Sequence, residues 1–100
     1  MDKILNLISI ATKAGKVKTG EFLTTKALQE CDCHLVVIAT DTSEKSTKRL
    51  KGIAENYGCD VIVHGTKEEL GKFTGKKEKS VIAITDEGLA QAIAKKYNDK

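Results

Sequence analysis

The sequence contains no proline and no tryptophan, and its only aromatic side chains are Phe22, Tyr57, Phe73 and Tyr97. Without proline there is no polyproline linker, and four scattered aromatics argue against the base-stacking platforms of RRM or OB sheets. Long apolar runs are missing too. The longest, Leu35 to Ala39, falls far short of the roughly 20 residues that a bilayer-spanning helix needs. Met1-Asp2-Lys3-Ile4 shows no signal-peptide pattern, so a soluble protein without membrane partners is expected. Cysteine is sparse and odd in number, with Cys31, Cys33 and Cys59 lying in or beside apolar segments. That is no disulfide framework, and a reducing cytoplasm is the simplest setting. Arginine is almost absent: Arg49 is the only one of 17 basic residues, and the other 16 are lysines. Lysine is a point charge suited to phosphate and poor at bidentate reading of guanine.

What remains is ordinary globular material. A chain of 100 residues, 40% apolar and 31% charged, net +3, has room for one compact domain. Ile4, Leu5, Leu7, Ile8 and Ala11 recur at helical spacing, predicting a helix over about 2–14 that stops before Gly15. Lys16 to Thr19 is a short extended piece. Gly20 then permits a tight entry into a second helix, whose buried stripe is Thr24, Ala27, Leu28 and Cys31. By that stripe Phe22 lies nearly opposite the core and Leu23 on its flank. His34 to Thr40 reads as a strand covered on both faces, as parallel strands are. Asp41-Thr42-Ser43-Glu44 has capping-box spacing, with Asp41 or Ser43 as N-cap, and opens a third helix through Leu50, Ile53, Ala54 and Tyr57 to Gly58.

Asp60 to His64 predicts another short buried strand. Thr66-Lys67-Glu68-Glu69 repeats the capping box and starts a brief fourth helix, ended by Gly71 or Gly75. A basic loop, a strand over Ser80 to Thr85 and a helix capped by Asp86 follow, with Asn98-Asp99-Lys100 expected to fray. Helices of crossover length alternate with strands, which predicts an α/β/α sandwich around a small, mainly parallel sheet.

No Gly-x-x-x-x-Gly-Lys-Ser/Thr loop or Gly-x-Gly-x-x-Gly fingerprint accompanies this alternation, so no nucleotide site comes with the fold. Cys31, Cys33 and His34, with Cys59 and His64 elsewhere, are soft ligands, but a one-residue cysteine spacing does not match the usual zinc pairs. Cys31 at a helix end and Cys33 before a strand read as small buried hydrophobes, and His34 and His64 as polar strand ends. No metal, cofactor or nucleophilic triad is assigned, and a non-enzyme is expected.

The lysines are informative once placed. Lys13, Lys16, Lys18 and Lys26 against Glu21 give +3 around the start of the second helix; Lys72, Lys76, Lys77 and Lys79 against Glu78 give +3 in the loop after the fourth. The remainder of the chain is therefore net negative. Gly20 puts unpaired backbone donors and a positive dipole end among Lys16, Lys18 and Lys26, where a phosphate can be held. The bland alternative is a solvated lysine surface.

The run from Lys16 to Leu28, the strand Leu35-Val36-Val37-Ile38-Ala39 and Asp41 resemble the kink-turn RNA-binding ribosomal proteins of the large-subunit seven-Ae type. Glu69 to Gly75, followed by Ser80-Val81-Ile82-Ala83-Ile84, matches that family's second recurrent stretch. The bacterial YlxQ branch is the nearest in pattern, through Gly20-Glu21, the Gly75-Lys76-Lys77-Glu78 loop and Ala83 to Gly88. The resemblance implies a three-layer α/β/α sandwich with a four-stranded mixed sheet. It also implies an RNA site at the start of helix two and the loop before the last strand. In the family a glycine opens helix two, a polar pair reads sheared G·A pairs, and a lysine one turn later meets the backbone. Gly20 and Lys26 match, whereas Phe22 and Leu23 occupy the positions of the pair. Apolar residues of the family's second loop are replaced by Lys76, Lys77, Glu78 and Lys79.

The expectation is a ribosomal or ribosome-associated protein that binds structured RNA, a monomer by default. In it Lys18, Lys26, Lys76 and Lys77 meet phosphates, Phe22 offers a stacking face, and Gly71 and Gly75 shape the second loop. The alternative keeps the fold and docks a protein of the translation or transcription machinery on Phe22 and Leu23.

Overall fold

The computed structural model of the protein describes residues 2–99. Helices α1 (Lys3–Lys13), α2 (Glu21–Gln29), α3 (Glu44–Asn56), α4 (Lys67–Phe73) and α5 (Glu87–Asn98) are interleaved with strands β1 (Val17–Thr19), β2 (Leu35–Ile38), β3 (Asp60–Val63) and β4 (Val81–Ile84). Short polar side chains set most helix starts. Asp2 accepts from the N–H of Leu5 at 2.9 Å, Ser43 from Ser46 at 3.2 Å, and Asp86 from Leu89 at 2.8 Å. At α4 the capping box is complete in both directions. Asp41, the other candidate cap for α3, instead accepts from the N–H of Lys67 and ties the α3 entry to α4.

The sheet order is β1-β4-β2-β3. β2 runs parallel to β3 but antiparallel to β4, and β1 is antiparallel to β4. The expected three-layer sandwich with a mixed four-stranded sheet is therefore present. The expectation of a mainly parallel sheet is corrected: one pairing of three is parallel. Every residue of β2 and β4 is buried because helices cover both faces, and two-sided cover does not depend on strand direction. On one face Leu35, Val37, Ile82 and Ile84 pack with Ile4, Leu5 and Ile8 of α1, Leu70 of α4, and Ala90 and Ile93 of α5. On the other, Val36, Ile38 and Val81 meet Leu28 of α2 with Leu50 and Ala54 of α3.

Other expectations shift by local causes. β3 is an edge strand in which Ile62 alone is buried. Cys31 is not in the buried stripe of α2: it lies beyond the helix with φ +57° and is exposed, because the chain must reverse there to enter β2. Gly71 does not end α4, which runs on to Phe73 with Thr74 as its cap. α5 holds through Asn98, with Asp99 as its cap; Lys100 lies outside the described residues. No described helix is long and apolar enough to cross a membrane.

Asp2 also joins the ends of two elements, its second carboxylate oxygen lying 2.7 Å from Nε2 of His64, whose ring meets Tyr97 edge-on. Burial raises the Asp2 pKa, but the Leu5 N–H and His64 outweigh it and hold the carboxyl below its ordinary 3.8. A depressed folded-state pKa gives stability that is complete above the unfolded value and lost as pH falls through the folded one. Asparagine keeps the cap and removes the charge. Asp2→Asn is therefore expected to lower the thermal midpoint by roughly 2 °C near pH 7. The difference should shrink as pH falls below the ordinary 3.8 and vanish once it has passed the lowered folded-state value, and parallel melts of the two proteins measure it.

Candidate nucleic-acid interface

β1 ends at Thr19, and the chain must turn at once to start α2 across the sheet. Gly20 makes that turn with φ +89° and ψ 164°, a region open to glycine alone. Its N–H donates to the Val81 carbonyl at 2.9 Å, pinning the turn to the start of β4, and its carbonyl accepts from Thr24 at 3.0 Å. Glycine has no side chain to cap the helix. The first-turn N–H groups and the positive end of the dipole therefore face outward. With Thr24, Ala27 and Leu28 buried, the same helix turns Phe22 (79% exposed) and Leu23 (41% exposed) to solvent.

The second basic segment is folded back rather than loose. Thr74 is buried, and its hydroxyl donates to the carbonyls of Leu70 at 2.7 Å and Gly71 at 3.1 Å. Gly75 takes φ +71°, letting the Lys76 N–H return to the Gly71 carbonyl at 2.8 Å, while Lys79 N–H reaches Lys67. Backbone of Lys77 and Glu78 lies directly on Gly71. A β-carbon there would sit 2.5 Å from the Lys77 carbonyl carbon, 2.9 Å from the Glu78 nitrogen, and nearer still to the Lys77 oxygen.

These two segments, more than fifty residues apart in sequence, meet in one groove. A cavity of about 390 Å³ is lined by Lys18, Thr19 and Leu23 from the first segment and Thr74, Gly75 and Lys76 from the second, with Thr12 and Val17 completing the lining. An adjoining hollow of about 90 Å³ shares Lys18 and Leu23 and adds Lys26, Glu30 and Asp32. Of the predicted site residues, Lys18, Leu23, Lys26, Gly75 and Lys76 thus come together around a shared wall. Phe22 stands exposed beside Leu23. Lys16 lies at the opposite end of β1 from Gly20, and Lys72, Lys77 and Lys79 do not line the groove. Gly71 acts from beneath, as the seat of the loop.

Charge is uneven along the groove. Lys18 and Lys76 face the larger part with no carboxylate among its lining, whereas Glu30 and Asp32 offset Lys18 and Lys26 in the smaller. The larger part is therefore the more positive of the two. Thr12, Thr19 and Thr74 carry no periodicity or charge signal and were not legible from the sequence. Nor was the use made of the lone arginine. Arg49 of α3 forks onto Glu21, through a close Nη1–Oε2 contact and a 3.0 Å Nη2–Oε1 bond. The guanidinium holds the Glu21 carboxyl below its ordinary range, and screens the one acid in the first turn of α2.

Cys33 and Cys59 come together, their sulfurs 3.5 Å apart, while Cys31 stands apart and exposed. Among the described residues no group of three or more His, Cys, Asp or Glu side chains is placed to hold a metal ion. His64 acts as the polar strand terminus expected of it, bound to Asp2.

Residues 2–94 match the Ribosomal protein L7Ae/L30e/S12e/Gadd45 family. The chain belongs to that family. It is 34% identical over 89 residues to the RNA-binding protein YlxQ of Enterococcus faecium, covering 89% of this chain and 85% of that one. With the large ribosomal subunit protein eL8 of Cenarchaeum symbiosum it shares 35% identity over 94 residues, covering 93% and 75% of the two chains. A Bacillus halodurans protein of unknown function superposes with a TM-score of 0.93 at 30% identity over 99% of this chain and all of that one. The fold is also that of the Giardia lamblia 15.5kD RNA binding protein, with a TM-score of 0.79 at 21% identity over 98% and 90%. The family read from the Gly20 and Gly71–Gly75 stretches, and its YlxQ-like character, are borne out.

Proposed function

We propose that the chain is a single RNA-binding domain, non-enzymatic and ribosomal or ribosome-associated. It acts in the cytoplasm as a monomer and holds structured RNA by phosphate contacts and shape. The observation that carries this reading is the groove in which Lys18, Leu23, Gly75 and Lys76 converge from two distant basic segments. Relatives named as an RNA-binding protein and as a large-subunit ribosomal protein support it. Lys18 and Lys76 neutralise phosphates inside the groove and Lys26 and Lys77 phosphates beside it, and the open first turn of α2 adds backbone donors. Phe22 offers a ring for stacking on an unpaired base. Phe22 and Leu23 lack polar groups, so base edges are not read by those side chains, and selection rests on the bent shape of the RNA.

Binding to a structured ribosomal RNA fragment at several salt concentrations tests the reading. Neutralising about four phosphates predicts a slope of roughly −3 to −4 in log affinity against log salt. A salt-independent affinity, or none at low salt, sinks it, and crosslinking in cells followed by sequencing names the RNA. The exposure of Phe22 and Leu23 favours one second reading, a protein partner of the translation or transcription machinery docked on that ring. Phe22→Asp and Lys26→Glu separate the two. An RNA face loses more from the charge reversal, a hydrophobic docking face more from loss of the ring.

A further inference from the structure

Cys33 precedes β2 and Cys59 precedes β3, the one parallel pair of the sheet. Their sulfurs lie 3.5 Å apart, with Cys59 buried and Cys33 half-buried. Both are free thiols, and neither belongs to the RNA groove. Elsewhere in the sheet, β1 and β2 are each zipped to β4; β3 has a single neighbour and pairs with it in the parallel mode, the weaker per residue.

We propose that Cys33 and Cys59 are a covalent modification site, which a peroxide converts to an intramolecular disulfide that clamps the β3 edge to the β2 entry. The sulfurs have only to close from 3.5 Å to the roughly 2.05 Å of a disulfide, with the strands already in register. In the sulfur–sulfur contact either thiol can donate; it pushes the Cys33 thiol up, with burial adding to the rise, and pulls the Cys59 thiol below its ordinary range. Cys59 is thus the nucleophile and Cys33 the resolving thiol. The Cys59 thiolate attacks a peroxide oxygen and breaks the O–O bond, giving a sulfenic acid and releasing the other oxygen as water once protonated. Cys33 sulfur, losing its proton, then attacks Cys59 sulfur and expels the hydroxyl as a second water. Two thiols are oxidised by two electrons, and one hydrogen peroxide is reduced to two waters. Among the described residues the exposed Cys31 has no cysteine partner.

The test treats the full chain, with Cys31→Ser alongside, with hydrogen peroxide and maps it without reduction. A mass loss of about 2 Da and a peptide joining residues 33 and 59 are expected. Closing the intervening loop should raise the thermal midpoint by about 10 °C, reversibly on adding a thiol reductant. Cys33→Ser should stop at sulfenic acid on Cys59, trappable by dimedone, and show no rise in midpoint. Recovery of both cysteines as alkylatable thiols, dimers joined through Cys31 alone, or a joined peptide without any rise in midpoint would each overturn the proposal.

Discussion

Gly71→Ala is expected to destabilise the protein by about 2 kcal/mol and to lower its thermal midpoint by roughly 10 °C. In an open helix the same change adds stability, about 1 kcal/mol, because alanine is the better helix former. Here the added carbon has nowhere to go. It would press on the backbone of Lys77 and Glu78, 2.5 Å from one carbonyl carbon and 2.9 Å from the next nitrogen, and backbone cannot swing aside as a side chain can. Overpacking of that kind costs about 3 kcal/mol, which outweighs the propensity gain. Gly52, within α3, has nothing within 4 Å of its β-carbon position. Gly52→Ala is therefore expected to raise the midpoint. Opposite signs from two helical glycines, measured by the same melts, test the loop seat directly; a rise at both would disprove it. Gly71→Ala should also weaken RNA binding, since the displaced segment carries Gly75 and Lys76.

The second large effect concerns Lys18 and Lys76, which face each other across the groove from β1 and the 74–79 segment. With both reversed to glutamate, RNA affinity near 0.1 M salt is expected to fall by about 100-fold or more, and the salt slope to shrink by about two. Both side chains are exposed, so stability should move by no more than about 0.5 kcal/mol. An affinity unchanged by the double substitution would show that RNA does not enter this groove. Lys16→Glu, at the far end of β1, is the control and should cost far less.

Much of this was readable from residues whose chemistry is local. Thr66 with Glu69, Ser43 and Asp86 announce helix starts because a short side chain either reaches the free N–H groups or does not. Phe22 was placed outside the core because the helical period leaves it no other side. Strand direction was hidden, since Val36, Val37 and Ile38 are buried by helices above and below whichever way the neighbours run. β3 misled for a related reason: Val61, Ile62 and Val63 look like a covered strand, yet its sequence does not say that the sheet stops there. Contacts between segments far apart escaped entirely. Gly71 gives no sign of the backbone lying on it, Glu21 none of Arg49, and Thr74 none of its place in the groove wall.

The position of β4 carries one more consequence. It is the latest strand along the chain, yet it lies between β1 and β2, and its Val81 carbonyl holds the Gly20 turn. A ribosome releases residues in order, so β1, α2 and the β2–β3 pair emerge before the strand that joins them. Until β4 threads into place, β1 lacks its strand partner and the Gly20 turn lacks the Val81 carbonyl that pins it. If RNA is held in the groove as proposed, a nascent copy that still lacks β4 has the lysines without the finished groove and should compete poorly for that RNA.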